Sequence, residues 1–313
     1  MREYIRAPQS PARRVLAQKS IFVRPPPGYV EPDDTVIIPH RLKVPMLDYL
    51  QDGHGISTET IYNDLFGFIR SRAIHREASE HFSTAISHIA NGDYPAAIEE
   101  CTRALDRNPQ MAAAYHTRGI AHGHVGNVND AIIDFTRTIE LVPGYAEALH
   151  SRGTAYYEKG DYDRAIADYD RAIMLVPDLA ISYNNRGNSY NRKGDYDRAI
   201  ADYDRAIELD PNIADAYSNR GNSYSRKGDY GRAISDHDRA IELAPNNAGF
   251  YGNLGEAWLH LSDWAKARVN LMAAREMGSD IVASFRNDYE NVADFEQQTG
   301  LTMTDDIAEM LGG

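Results

Sequence analysis

At 313 residues the chain has room for two or three ordinary domains, or for one domain and a repeat array. A hydrophobic share of 42% and a charged share of 25% are those of a folded protein in water, and no aliphatic run exceeds about four residues (Ile173 to Val176), too short to span a bilayer. The net charge of −13 argues against generic nucleic-acid binding, and a single cysteine, Cys101, excludes an internal disulfide and fits a reducing cytoplasm.

Residues 1–77 come first and contain eight of the fourteen prolines. Their opening, "MREYIRAPQSPARR", has charge and proline but no apolar centre, so it does not read as a secretory signal. Residues 1–30 carry Arg2, Arg6, Arg13, Arg14, Lys19 and Arg24 against Glu3, a charge of +5 that leaves −18 for the rest; a solvated or broken-off end is expected, with contact to an acidic partner as the alternative. Two short strands, Ile21–Arg24 and Thr35–Ile38, flank a proline-rich loop, and two helices follow, the second capped by Ser57 or Thr58. "AQKSIF", "VIIPHRLKVPMLDYL" and "GISTETIYNDLFGF" resemble the closing part of the FRG domain, a bacterial domain of poorly defined function. The part from which that domain takes its name has no counterpart here. The expectation is therefore a remnant that packs Tyr62, Leu65, Phe66 and Ile69 on the first repeat, or a truncated reading frame.

From Ala78 the chain repeats every 34 residues, and "KGDYDRAIADYDRAI" occurs letter for letter at Lys159 and again at Lys193. The eighth place of each repeat reads Ala85, Gly119, Gly153, Gly187, Gly221 and Gly255, and the twentieth is alanine throughout. Small residues let two helices approach closely, while Tyr156, Tyr190 and Tyr224 at place eleven and Tyr169 and Tyr203 at place twenty-four fill the gaps. Gly92, Gly126, Gly160, Gly194 and Gly228 supply the turn between helices; Pro109, Pro143, Pro177, Pro211 and Pro245 end each pair. This pattern resembles the tetratricopeptide repeat, an antiparallel helix pair, over six repeats. The resemblance implies a right-handed superhelix.

Repeats four and five, Ala180–Ile213 and Ala214–Asn247, are identical at 25 of 34 places. In the sixth, Ser262 replaces the turn glycine and Ser279 the closing proline, while Trp258 and Trp264 enlarge the packing. Segment Asp280–Gln297 sets Ile281, Phe285, Val292 and Phe295 on one helical stripe as a cap, and "LTMTDDIAEML" reads as one more short helix.

In the tetratricopeptide family the first helix of each pair lines a groove. The resemblance puts Asn184, Asn185, Asn188, Asn191 and Arg192 there in repeat four, Ser218, Asn219, Asn222, Ser225 and Arg226 in repeat five, and Asn253 in repeat six. Asparagine both donates and accepts, so a row of them suits an extended peptide backbone. The row at place six (Asn185, Asn219, Asn253) is similar to the asparagine ladder of O-linked N-acetylglucosamine transferases, whose catalytic domain has no counterpart here. A competing reading leaves these asparagines facing solvent. The chaperone-tail clamp of the family needs lysine at place five, where this chain has none; only Asn188 and Asn222 match it.

Arg118, Arg152, Arg186 and Arg220 at place seven face Asp134, Asp168, Asp202 and Asp236 at place twenty-three, an expected ladder of ion pairs setting register, with Asp168–Arg171 and Asp202–Arg205 as further neighbours. His81, His88 and His122 fall at core places. His116, His150 and His124 are the one candidate metal cluster, but no HExxH, paired CxxC, phosphate-binding loop or nucleophile elbow is present. Cys101 falls at a buried place.

The reading is an all-helical tetratricopeptide solenoid (residues 78–281) with a small mixed α/β segment before it (1–77) and a capping helix and tail after it (282–313). The expected function is a cytoplasmic, non-catalytic scaffold whose groove takes a peptide or partner helix. It needs no cofactor, metal, nucleic acid or membrane, and its terminal faces offer a route to self-association. The alternative is the targeting part of a truncated FRG-domain effector or enzyme.

Overall fold

The computed structural model describes residues 75–312. The expected strands, helices and FRG-like motifs of the N-terminal segment lie outside the described residues. Every regular element among the described residues is an α-helix. The chain divides into two compact bodies, one ending at Ala121 and the other beginning at His122.

In the first body, α1 (residues 75–90) and α2 (Tyr94–Arg107) form a hairpin, followed by the start of α3 (Ala112–His124). Ala104, Leu105 and Ala114 make its core, with Phe82, Met111 and Tyr115 packed on them. The second body continues through α4 (Val128–Leu141), α5 (Ala146–Glu158), α6 (Tyr162–Leu175), α7 (Ala180–Arg192), α8 (Tyr196–Leu209), α9 (Ala214–Arg226), α10 (Tyr230–Leu243), α11 (Ala248–His260) and α12 (Trp264–Glu276). It closes with three short helices, α13 (Ile281–Arg286), α14 (Val292–Thr299) and α15 (Asp305–Met310).

Local chemistry fixes each hairpin. Gly160, Gly194 and Gly228 sit at φ of 76°, 78° and 77°, a left-handed conformation that a side chain resists. One residue later Asp161, Asp195 and Asp229 accept the backbone N–H of Arg164, Arg198 and Arg232, capping the second helix; such a cap contributes about 1 kcal/mol. Ser262 takes the same turn at φ 56° and is the one non-glycine residue at positive φ among the described residues.

The helices of a pair meet through a small residue and a large one. A Cβ added to Gly153 would lie 2.8 Å from Tyr169 Cε1, and one added to Gly187 would lie 2.7 Å from Tyr203 Cε1. In the first repeat the exchange runs the other way: Ala85 stands at the small place and Cys101, fully buried, at the large one. The tyrosines at place eleven are only half-buried. Arg164, Arg198 and Arg232 lie over Tyr156, Tyr190 and Tyr224 at 4.5, 4.3 and 4.2 Å from the ring centres.

The arginine–aspartate ladder forms, in a more buried and more connected version than expected. Arg186 donates from Nε and Nη2 to both oxygens of Asp202 at 2.8 and 2.6 Å, and from Nη1 to Asp170 of the preceding repeat at 2.5 Å. Arg220 repeats this with Asp236 and Asp204, and Arg152 with Asp168 and Thr136. With Arg186 and Asp202 only 19% and 8% exposed, each arginine ties one first helix to two second helices. Asp202 is thereby occupied, and Arg205 turns instead to Glu208 at 2.9 Å.

Three expectations need correction. The stripe Ile281–Phe295 belongs to two helices, α13 and α14, because Asn291 caps a new helix at Asp294 N and Tyr289 turns inward onto Phe295. These helices still cover the last repeat: Ile281, Phe285, Phe295, Met303, Ile307 and Leu311 share one core with Leu259 and Leu271. His81 and His88 are half-buried beside carboxylates, His81 Nδ1 lying 2.6 Å from Glu100, and are not core residues. His122 is half-buried too, with its Nε2 4.0 Å from Asp134.

Candidate functional site

Within the second body, α5, α7, α9 and α11 are the first helices of successive repeats, each touching the next but one in sequence. Side chains stitch them laterally. Asn219 donates to Asn184 Oδ1 at 3.3 Å and Asn253 to Ser218 Oγ at 3.2 Å, so a place-six amide holds place five of the repeat before it. Asn191 donates to Ser223 Oγ at 2.6 Å, and His150 Nδ1 lies 2.8 Å from Ser182 Oγ. Burial lowers the His150 pKa to about 4, so the ring is neutral at pH 7.

Above this seam lies a pocket of about 540 Å³, within the range of ligand sites. Asn188, Asn191, Arg192, Asn219, Asn222, Arg226 and Asn253, all anticipated from sequence, line it together with Ser225. Asn184 and Asn185 do not. Asn184 is 4% exposed and donates to Asn185 Oδ1 at 3.1 Å, so this pair builds the wall from behind.

Several lining residues were not anticipated: Tyr157, Tyr203, Tyr230, Glu256, His260, and the group Ser284, Asn287, Asp288 and Tyr289 that forms one end. Tyr203 donates to Asn188 Oδ1 at 2.8 Å, and burial raises its hydroxyl pKa well above the usual value. Arg192 donates from Nε to Tyr157 OH at 3.2 Å. His260 stacks on Tyr230 with centroids 4.3 Å apart, and its Nε2 meets Tyr289 OH at 3.1 Å. Burial first, then the neighbouring Asp288, pushes Glu256 up to about 7 in spite of Arg226.

The walls therefore offer amides, two guanidiniums, phenols and one carboxyl near neutrality. Such a lining is chemically suited to polar groups. Among the described residues no three His, Cys, Asp or Glu side chains are grouped to hold a metal ion, and no helix is long and apolar enough to cross a membrane.

Residues 82–146 and 214–247 match the family described as tetratricopeptide repeat, and 153–194 and 187–228 match that described as TPR repeat. The chain belongs to the tetratricopeptide repeat family. Solved repeat structures agree in fold. The Pseudomonas aeruginosa PilF structure is 15% identical, covering 69% of this chain and 99% of its own, with a TM-score of 0.60. MamA from Desulfovibrio magneticus is 19% identical over 53% of this chain and 94% of its own, with a TM-score of 0.51. A chain of the APC/C hetero-tetramer Cut9–Hcn1 is 16% identical over 77% of this chain and 51% of its own, with a TM-score of 0.59. No curated protein matches the chain by sequence.

Proposed function

We propose that this tetratricopeptide repeat protein is a non-catalytic interaction scaffold, and that an extended peptide segment of a protein partner lies in the pocket walled by α7, α9 and α11. The convergence of Asn188, Asn222, Arg192 and Arg226 on one concave wall carries this reading. A peptide backbone alternates N–H and C=O groups, and each amide can answer either. Such a segment costs ordering entropy on binding, which a preformed wall held by Tyr203 and Ser223 keeps low on the protein side.

A paired pull-down tests the proposal. One bait is the intact chain; the other carries Asn188→Ala, Asn222→Ala, Arg192→Ala and Arg226→Ala, with its fold checked by circular dichroism. Capture by the first and loss from the second is the expected result. Equal capture by both would place binding on another surface and overturn it. The FRG-related alternative rests on residues 1–77, nearly all outside the described structure.

A further inference from the structure

The repeats differ at one pair of places in a way that changes the pocket. In the third, Tyr169 at place twenty-four meets Thr154 at place nine, with the hydroxyls 3.2 Å apart; in the fourth, Tyr203 OH donates to Asn188 Oδ1 at 2.8 Å. Place nine is thus satisfied from beneath.

In the fifth repeat the tyrosine is His237. Its ring sits at the same depth: a Cβ on Gly221 would lie 2.7 Å from Cε1 and 3.0 Å from Nε2, matching 2.7 Å to Cε1 and 3.1 Å to Cζ for Tyr203 below Gly187. Nε2 therefore stands where the tyrosine Cζ would, and the hydroxyl beyond it is missing. His237 is fully buried and neither ring nitrogen has a partner. Asn222, the place-nine residue above, makes no side-chain hydrogen bond with any described residue. In the sixth repeat place twenty-four is Leu271, which has no polar atom to offer, and place nine is Glu256. Glu256 likewise has no hydrogen bond or ion pair among the described residues, though it lines the same pocket.

Charge selects the occupant. The pocket near Glu256 also holds Asp288, whose Oδ1 is already taken by Arg226 at 2.6 Å. That leaves two carboxyls sharing one guanidinium, and burial lowers the His260 pKa, which favours its neutral ring. A half-buried carboxylate whose nearest cation is already bonded to another carboxylate is costly, and a partner that brings a second cation lowers that cost.

Resting on the peptide reading above, we infer that Glu256 and Asn222 form a subsite for a basic side chain of the bound peptide. A lysine ammonium or arginine guanidinium donates to Glu256 and to the Asn222 carbonyl. The arrangement sets a direction for the peptide, since this subsite lies at the α11 end and the unsalted Arg192 at the α7 end.

The test is selection of random twelve-residue peptides, displayed on phage, on the full chain at pH 8. Anisotropy titrations of the enriched peptides against wild type, Glu256→Gln and Asn188→Ala/Arg192→Ala follow. The expected result is enrichment of Lys or Arg at one position, at least ten-fold weaker binding to Glu256→Gln, and loss on the Asn188/Arg192 variant. Changing that basic residue to Gln should weaken binding to wild type equally and cost nothing more against Glu256→Gln; the peptide-side change keeps the test valid should the variant misfold. Peptides lost on the Asn188/Arg192 variant but indifferent to Glu256 and to their own charge would overturn the subsite and leave the groove reading intact. No enrichment, or peptides indifferent to all variants, would overturn both.

Discussion

Arg226 at the end of α9 donates from Nη2 to Asp288 Oδ1 at 2.6 Å, closing a contact between residues 62 apart in sequence. The pair fixes the turn after α13 against the wall of the pocket and also places a second carboxylate beside Glu256. Replacing Asp288 by Asn should therefore act twice. The exposed guanidinium loses a partner worth about 0–1 kcal/mol. Glu256 meanwhile loses a like charge, so its pKa should fall below about 7, as a carboxyl-detected NMR titration would report. An unchanged Glu256 titration would separate the two carboxyls.

Glu256 also makes stability depend on pH. Its folded pKa is raised from 4.5 to about 7, so the folded state binds the proton more tightly than the unfolded one. The associated stability is complete below about pH 4.5 and declines as pH rises towards about 7. Glu256→Gln should leave the melting temperature nearly unchanged at pH 4.5 and raise it at pH 8. Screening in a half-buried site reduces the gain to the order of 1 kcal/mol. A variant that melts lower at pH 8 would contradict this sign.

The contact of Gly187 with Tyr203 predicts a coupled pair. Gly187→Ala puts a methyl 2.7 Å from the tyrosine ring and should cost about 1–3 kcal/mol. Tyr203→Cys alone leaves a cavity and should cost about 3–5 kcal/mol. Joined, they reproduce the Ala85–Cys101 combination of the first repeat, and the double variant should lose less than the sum. Denaturant unfolding of the four proteins gives the coupling energy directly.

Arg186→Leu strips the guanidinium from Asp202 and Asp170 together. Its cost should exceed the ~1 kcal/mol of an exposed pair and approach the about 3–5 kcal/mol of stripping one partner from a buried one. Asp202→Asn should recover part of it, because the uncompensated charge is then gone.

Ser262→Gly should stabilise. A side chain in the left-handed region costs about 1–2 kcal/mol, against which glycine loses about 0.5–1 kcal/mol of chain entropy. The net is a rise of up to about 1 kcal/mol in urea unfolding; a fall would deny strain at this turn.

Helix pairing was legible because its determinants recur at a fixed period: glycine at place eight opposite tyrosine at place twenty-four needs no knowledge of other proteins. The lining asparagines were legible through the family resemblance. What stayed hidden depends on distances between neighbouring helices. Asn184 and Asn185 share their residue type with Asn188, yet the spacing of α7 and α9 engages Asn184 with Asn219, and Asn185 accepts from Asn184, so neither lines the pocket. Glu256 follows Asn188 and Asn222 at place nine, a change of type after two amides that was its only signal. The end wall of Asp288 and Tyr289 gave none, since residues 282–313 have no period and the break between α13 and α14 sits among polar residues.

The contacts that join one repeat to the next obey their own arithmetic. Arg186 reaches Asp170 as Arg220 reaches Asp204, Lys193 reaches Asp163 as Lys227 reaches Asp197, and Asn219 reaches Asn184 much as Asn253 reaches Ser218. A 34-residue cassette copied between repeats four and five would find every one of these partners waiting. Adding or removing one such cassette therefore leaves the joints between repeats satisfied, and changes the length of the array without changing how its units meet. Copy number becomes a ruler: the end with Glu256 and Asp288 stays fixed while each added cassette lengthens the row of first helices by one.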